Sequence, residues 1–124
     1  MGRTAMVALG GLVGCLARYW LTGAVQQLSD SDFPLGTLVV NLLGSLVIGT
    51  VVTLSLERGA MSGETRLLLG TGFCGGFTTM STFSYETLAL MRDGQTLLAL
   101  GNVGGTVGGC IAAVWLGQVL GRLM

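Results

Sequence analysis

The chain has 124 residues, of which 51% are hydrophobic and only 10% are charged, and it contains no histidine. A soluble domain is typically about 25% charged, so this composition, with a mean hydropathy of +0.76, indicates an integral membrane protein. The formal net charge of zero argues against a nucleic-acid partner. Four spans of about 20 residues and short loops would use the whole length. We therefore expect one all-α, four-span membrane domain over residues 1–124, without a soluble catalytic module.

The first predicted span covers residues 4–28, and its apolar run is too long for a cleaved signal peptide. Gly10 and Gly14 lie one helical turn apart, a spacing that favours close contact between helices. Arg18 is unusual here, because a guanidinium inside a span costs about 2.5 kcal/mol or more unless it is paired or near an end. Two interpretations stay open: Arg18 reaches the membrane interface, or it anchors a buried polar network or borders an aqueous entrance.

The second predicted span covers residues 34–56, with Asp32 as the expected N-cap and Pro34 at the first helical position. Thr37 and Asn41 lie one turn apart and share a face. An asparagine in mid-span must find a partner, because an unsatisfied amide in hydrocarbon costs several kcal/mol. Asn41 could therefore join two helices or contact a ligand.

The third predicted span covers residues 66–91 and is rich in small residues: Gly70, Gly72, Gly75 and Gly76, followed by hydroxyl side chains at 78, 79, 81, 82 and 84. Each glycine costs a helix interior about 1 kcal/mol, so the cluster predicts a broken helix that restarts after Gly75–Gly76. Broken spanning helices tend to carry ion or substrate sites. The alternative is a continuous helix packed tightly on its neighbours.

After the predicted break in the sequence, Met80 and Phe83 share one helical face, and Thr79, Thr82 and Glu86 line an adjacent one. We expect Glu86 either near the membrane surface or at the outer end of a polar track.

The fourth predicted span covers residues 96–120. Its glycines repeat every four residues on two faces that can approach neighbours closely: Gly101, Gly105 and Gly109, and Gly104 and Gly108. Asn102, Thr106 and Cys110 form a further polar stripe at the same spacing.

The arginines are distributed with little bias between the two membrane faces. The predicted topology places Arg3, Arg58, Arg66 and Arg122 on the face of the termini, against Arg18 and Arg92 on the other. So weak a bias permits insertion in either orientation, and hence an antiparallel dimer of identical chains.

The polar groups of the spans indicate transport rather than catalysis. The chain has no histidine to act as a base, no cluster with metal-ligand spacing and no phosphate-binding loop motif, so we do not expect an enzyme. The neutral donors are Asn41 and the serine and threonine hydroxyls, and Phe83 adds the positive edge of its ring. These groups suit a small anion best, although carbonyls at the break could hold a cation.

Three stretches, residues 36–44, 70–79 and 81–84, closely resemble motifs of the Fluc (CrcB-type) fluoride channel family. The Gly-x-x-x-Arg pattern that ends at Arg18, the length and the four-span layout are also similar to this family. The resemblance implies a dual-topology homodimer with two pores that export fluoride passively and lower cytoplasmic fluoride. It also implies a multi-pass protein of a bacterial cell (inner) membrane, with fluoride, lipid and a second copy as its partners.

The resemblance further implies roles for individual residues. Asn41 would donate to fluoride, and Phe83 would offer its ring edge. The carbonyls of Gly75 and Thr78 of both chains would surround a central, structural sodium ion. The other implied pore or vestibule positions are Thr37, Ser81, Thr82, Glu86, Thr106 and Cys110.

Met80 departs from the family pattern, which has phenylalanine there. A thioether is flexible and lacks the fixed positive edge of a ring. We expect Met80 to leave the fold and dimer intact but to alter fluoride throughput. Cys110 is a smaller departure, because a thiol is a poorer donor than a hydroxyl.

Two other functions remain as alternatives. A small four-span multidrug-type antiporter would need an ionisable residue in mid-span, and Glu86 is the nearest candidate. A non-transporting subunit that packs other membrane proteins would explain the glycines but not Asn41 or the hydroxyl track.

Overall fold

The computed structural model describes residues 2–124, and this part of the chain is helical with no β-strand. Three helices are long and apolar enough to cross a membrane: Gly2–Gln27, Leu35–Glu57 and Thr96–Leu123. The third predicted span, residues 66–91, is interrupted and so contributes no single helix of that length. We call the part of the chain that contains it the third segment. The protein is therefore an all-α, multi-pass membrane protein, as its composition predicts.

Helix α1 covers Gly2–Gln27, and helix α2 covers Leu35–Val52 and continues as a π-helical turn over Thr53–Glu57. The expected N-cap role of Asp32 is wrong, because Pro34 holds the cap position. The acceptor comes from α1 instead, where the Gln26 side-chain oxygen receives the N–H of Gly36 at 3.2 Å. The Asp32 carboxylate accepts a hydrogen bond from the Gln95 side chain.

The third segment begins with α3 (Gly63–Arg66), a π-helical stretch (Leu67–Cys74) and α4 (Gly75–Phe77). The chain is then extended at Thr78 and Thr79, with ψ angles of 158° and 113°. Helix α5 restarts the segment and covers Met80–Arg92.

The predicted break therefore exists and the helix restarts after Gly75–Gly76, but the extended residues are Thr78 and Thr79, and both glycines are helical. The glycine at 76 serves close packing: a methyl group there would meet the carbonyl of Gly11 and the side chain of Cys15. The third segment is thus both broken and tightly packed, but at different residues.

Helix α1 packs along this first half of the third segment. A methyl group at Gly10 would strike the carbonyl of Leu68, and one at Gly14 would strike that of Phe73. The predicted close contact through Gly10 and Gly14 is confirmed.

Helix α6 covers Thr96–Leu123 and packs mainly against α2. Gly49 of α2 lies against the backbone of Val114, and Gly117 of α6 lies against that of Leu46. Of the two glycine faces expected to pack closely, the face of Gly104 and Gly108 is open within the described chain. On the other face Gly105 is also open, whereas a methyl group at Gly109 would meet the side chain of Leu42.

Candidate functional site

An asparagine of the second helix holds the interruption of the third segment in place. The Oδ1 of Asn41 accepts from the backbone N–H of Thr79 at 2.8 Å, and its Nδ2 donates to the carbonyl of Thr79 at 3.1 Å. The side-chain amide of Asn41 thus pairs with both the N–H and the carbonyl of Thr79. In a continuous helix these two backbone groups would be paired within the helix itself. The interpretation of Asn41 as a link between helices is confirmed. One of its two N–H groups has no partner among the described residues.

Thr78 and Thr79 make further hydrogen bonds at the interruption. The N–H and the hydroxyl of Thr78 both donate to the carbonyl of Cys74, each at 2.9 Å. Thr79 is the N-cap of α5, where its Oγ1 accepts the N–H of Thr82 at 3.2 Å. The hydroxyl of Thr79 in turn donates to Thr82 Oγ1 at 3.0 Å.

Arg18 is also bound to this region. Its Nε donates to the carbonyl of Gly76 at 3.0 Å, near the end of α4. A guanidinium is favourable there because the last carbonyls of a helix carry partial negative charge. Arg18 is half-buried, and this contact supports the interpretation that it anchors a polar network.

A cavity of about 500 Å³ lies beside the interruption, between α2, α5 and α6. Its wall includes these residues singled out in the sequence: Asn41, Gly75, Thr78, Met80, Phe83, Thr106 and Cys110. Phe83 is 5% exposed and Met80 is 69% exposed. No Asp, Glu, Lys or Arg lines this cavity in the described chain, so its polar groups are neutral. We refer to it below as the large cavity.

Two backbone carbonyls in the wall of the large cavity are unpaired. No donor among the described residues reaches the carbonyl of Gly75 or that of Thr78, whereas Arg18 binds that of Gly76, one of the two carbonyls between them. Free carbonyl oxygens are ligands that suit a hard monovalent cation.

The remaining expected pore residues lie outside the large cavity. The hydroxyl of Thr37 donates to Glu86 Oε1 at 2.9 Å, which joins α2 to α5. Thr37, Thr82 and Arg18 line a neighbouring cavity of about 370 Å³. Glu86 lines another of about 330 Å³, and Ser81 lies in the wall of none of these three. The expected site residues are thus distributed over three cavities rather than gathered in one.

Comparison with known proteins places this arrangement in a family. The family model described as "CrcB-like protein, Camphor Resistance (CrcB)" matches residues 5–118. The chain belongs to the CrcB family. It is 50% identical over 125 residues, covering all of both chains, to the "Fluoride-specific ion channel FluC" of Nitratidesulfovibrio vulgaris strain DP4.

Two further relatives of this CrcB-family chain bear the same name. The one from Geobacter sulfurreducens is 47% identical over 116 residues, which is 94% of each chain. The one from Pyrococcus abyssi is 46% identical over 119 residues, which is 96% of this chain and 95% of the relative.

Two polar residues without a role predicted from the sequence link Thr106 to Phe83 in this CrcB-family chain, the buried Asn102 and the half-buried Thr87. Asn102 of α6 is 1% exposed, and its Nδ2 donates to Thr87 Oγ1 at 2.9 Å. Thr87 donates to the carbonyl of Phe83 at 2.7 Å, and Thr106 donates to Asn102 Oδ1 at 3.3 Å. The available signal was the position of Asn102 one turn before Thr106; the partner Thr87 comes from another helix and has no local signal.

Proposed function

We propose that this chain is a passive fluoride-selective channel that lowers cytoplasmic fluoride in a bacterial cell. The observation that carries the proposal is the spare N–H of Asn41 in a cavity that it shares with Phe83. An amide N–H and the edge of a phenyl ring both present partial positive charge, which suits a small anion. The full-length similarity to proteins named fluoride-specific ion channels supports the same conclusion.

The composition of the large cavity weighs against the antiporter. Coupling of a cationic drug to protons requires a titratable carboxylate in the pathway. Glu86 is the nearest carboxylate, yet it lines a different cavity and accepts a hydrogen bond from the hydroxyl of Thr37. A neutral wall with an amide donor and a phenyl edge suits a small anion better than a cationic drug.

We propose that two copies of the chain form an antiparallel, dual-topology homodimer with two pores. Support comes from the weak arginine bias of the sequence and from the open face of α6, where Gly104, Gly105 and Gly108 leave room for a second backbone. The exposure of Met80 beside the large cavity also favours a partner that closes this side.

We propose further that the dimer holds a structural sodium ion at its centre. The carbonyls of Gly75 and Thr78 fit this role, because neither has a donor among the described residues and Arg18 binds the carbonyl of Gly76 instead. Two such carbonyls from each copy would give four neutral oxygen ligands. Replacing sodium with a bulky organic cation should lower the thermal stability of the purified dimer. Unchanged stability after complete sodium removal would contradict a structural ion.

The cellular role is tested in a bacterium that lacks its own fluoride exporter and is therefore sensitive to fluoride. Expression of this chain should restore growth at fluoride concentrations that arrest the parent cells. The matched control is Asn41→Asp, which should reach the membrane in equal amount but restore growth poorly. Failure of the unmodified chain to restore growth, with its presence in the membrane verified, would contradict the proposal.

A further inference from the structure

The hydrogen bonds between α5 and α6 have a direction that is set by one backbone carbonyl. The carbonyl of Phe83 can only accept, so the single hydroxyl proton of Thr87 points to it, over 2.7 Å. The oxygen of Thr87 must then accept from the amide atom of Asn102 at 2.9 Å, which is therefore Nδ2. This choice fixes the other end of the amide as Oδ1.

The same reasoning fixes the orientation of the Thr106 hydroxyl. Its neighbour at 3.3 Å is Asn102 Oδ1, which can only accept, so the proton of Thr106 points to Asn102. Thr106 lines the large cavity, whereas Asn102 and Thr87 do not. The Thr106 hydroxyl therefore has only lone pairs left for the cavity, although a threonine there would ordinarily be counted as a donor.

The large cavity thus contains two kinds of polar group. Asn41 presents a spare N–H, which attracts an anion. Thr106 presents lone pairs, which repel an anion and accept hydrogen bonds from water. An anion that enters the cavity with part of its water shell would lie toward Asn41. The hydrogens of one of its water molecules would point toward Thr106.

We propose that Asn102 is a positioning residue that makes Thr106 a water acceptor and prevents it from binding the ion directly. This inference rests on the proposed fluoride channel. Its consequence for transport is that fluoride is held by donors from one part of the wall only, and an ion must be bound weakly enough to leave the pore. Asn102 and Thr87 would then set the strength of fluoride binding without touching fluoride.

The test measures fluoride flux into liposomes at increasing fluoride concentration, for the unmodified chain, Asn102→Leu, Thr106→Val and the double variant. Asn102→Leu removes the acceptor that holds the Thr106 proton, which can then be donated to the ion. The half-saturating fluoride concentration should fall by about three- to tenfold, as expected for one added hydrogen bond in a membrane protein, and the maximal flux should fall with it. Adding Thr106→Val should abolish this shift, because the released donor is then absent.

Thr87→Val provides a second route to the same state if Asn102→Leu does not assemble. It removes the acceptor for Asn102 Nδ2, so the amide is free to turn and release Thr106, and the shift should have the same sign. The control is Thr50→Val, since the Thr50 hydroxyl donates to the Leu46 carbonyl of its own helix and does not line the large cavity. This variant should keep the half-saturating concentration of the unmodified chain.

Three results would overturn the inference while leaving the channel intact. They are an unchanged half-saturating concentration in assembled Asn102→Leu and Thr87→Val, an increased one, or a shift that survives in the double variant. The first would make Asn102 a purely structural residue, and the third would show that it does not act through Thr106. Absence of fluoride flux in the unmodified chain would instead overturn the proposed function, and the inference with it.

Discussion

The side-chain amide of Asn41 pairs with both backbone groups of Thr79, at 2.8 Å and 3.1 Å, across two different spans. The extended residue is therefore stabilised by a contact between helices rather than by its own neighbours in sequence. The amide uses one N–H for this purpose, the other has no partner among the described residues, and Asn41 lines the large cavity. The residue that maintains the broken helix is thus also the one that we propose as a donor to fluoride.

Asn41→Asp should reduce fluoride flux by at least about tenfold, the equivalent of about 1.4 kcal/mol. The replacement keeps the size of the side chain but puts an oxygen opposite the Thr79 carbonyl, where the two repel, and removes the spare donor. Fluoride efflux from liposomes measures the effect. Thr50→Val on the same helix is the control and should be unchanged. Equal efflux from Asn41→Asp and the unmodified chain would show that the amide is not required.

Met80→Phe should change fluoride flux several-fold and leave the fold and assembly unaltered. Met80 lines the large cavity and is 69% exposed, so a phenyl ring can be accommodated without repacking a core. The ring would add a fixed positive edge that the thioether lacks. We expect the flux to rise. The comparison is made at equal protein density in liposomes, with gel filtration to verify assembly, and equal flux would contradict a role for this position.

Arg18→Gln should destabilise the protein by about 1–2 kcal/mol, because the Gly76 carbonyl loses a charged donor inside a span. Thermal unfolding of the protein in detergent measures the loss. The control is Arg92→Gln, since Arg92 is exposed at the end of α5. An unfolding temperature equal to that of the control variant would mean that the hydrogen bond from Arg18 to the Gly76 carbonyl does not stabilise the protein.

Thr53→Val should stabilise the protein by about 1 kcal/mol and leave transport unchanged. Thr53 is 0% exposed, and its hydroxyl has no hydrogen-bond partner among the described residues. Valine has nearly the same shape, so the packing against Gly121 should persist. The unfolding temperature is the direct measurement. A decrease would show that the hydroxyl has a partner in the assembled protein.

The local features of the fold could be predicted from the sequence, because they depend on residues close together in the chain. Apolar length predicted the spans, and the spacing of Gly10 and Gly14 predicted a close helix contact, which α1 makes. The existence of a break followed from the glycine-rich stretch. Its position at Thr78–Thr79 did not, because glycine is equally suited to a break and to close packing.

The features whose positions were not predicted correctly from the sequence depend on residues from other helices. Asn41 decides where the third segment is extended, and Gln26 of α1 supplies the acceptor that Asp32 was expected to give to α2. The proton of Thr106 is directed by Asn102, whose own orientation depends on Thr87. Spacing within one segment carries no information about such contacts, so the sequence predicts which residues are polar in the spans but not which way their donors point.

The most direct test of the proposed channel is the release of fluoride from liposomes that contain this protein alone, recorded with a fluoride electrode, with chloride release recorded in parallel. A neutral cavity that offers an amide N–H and a phenyl edge should pass fluoride rapidly and very little chloride. Absence of fluoride release, or release of chloride at a similar rate, would contradict a fluoride-selective channel.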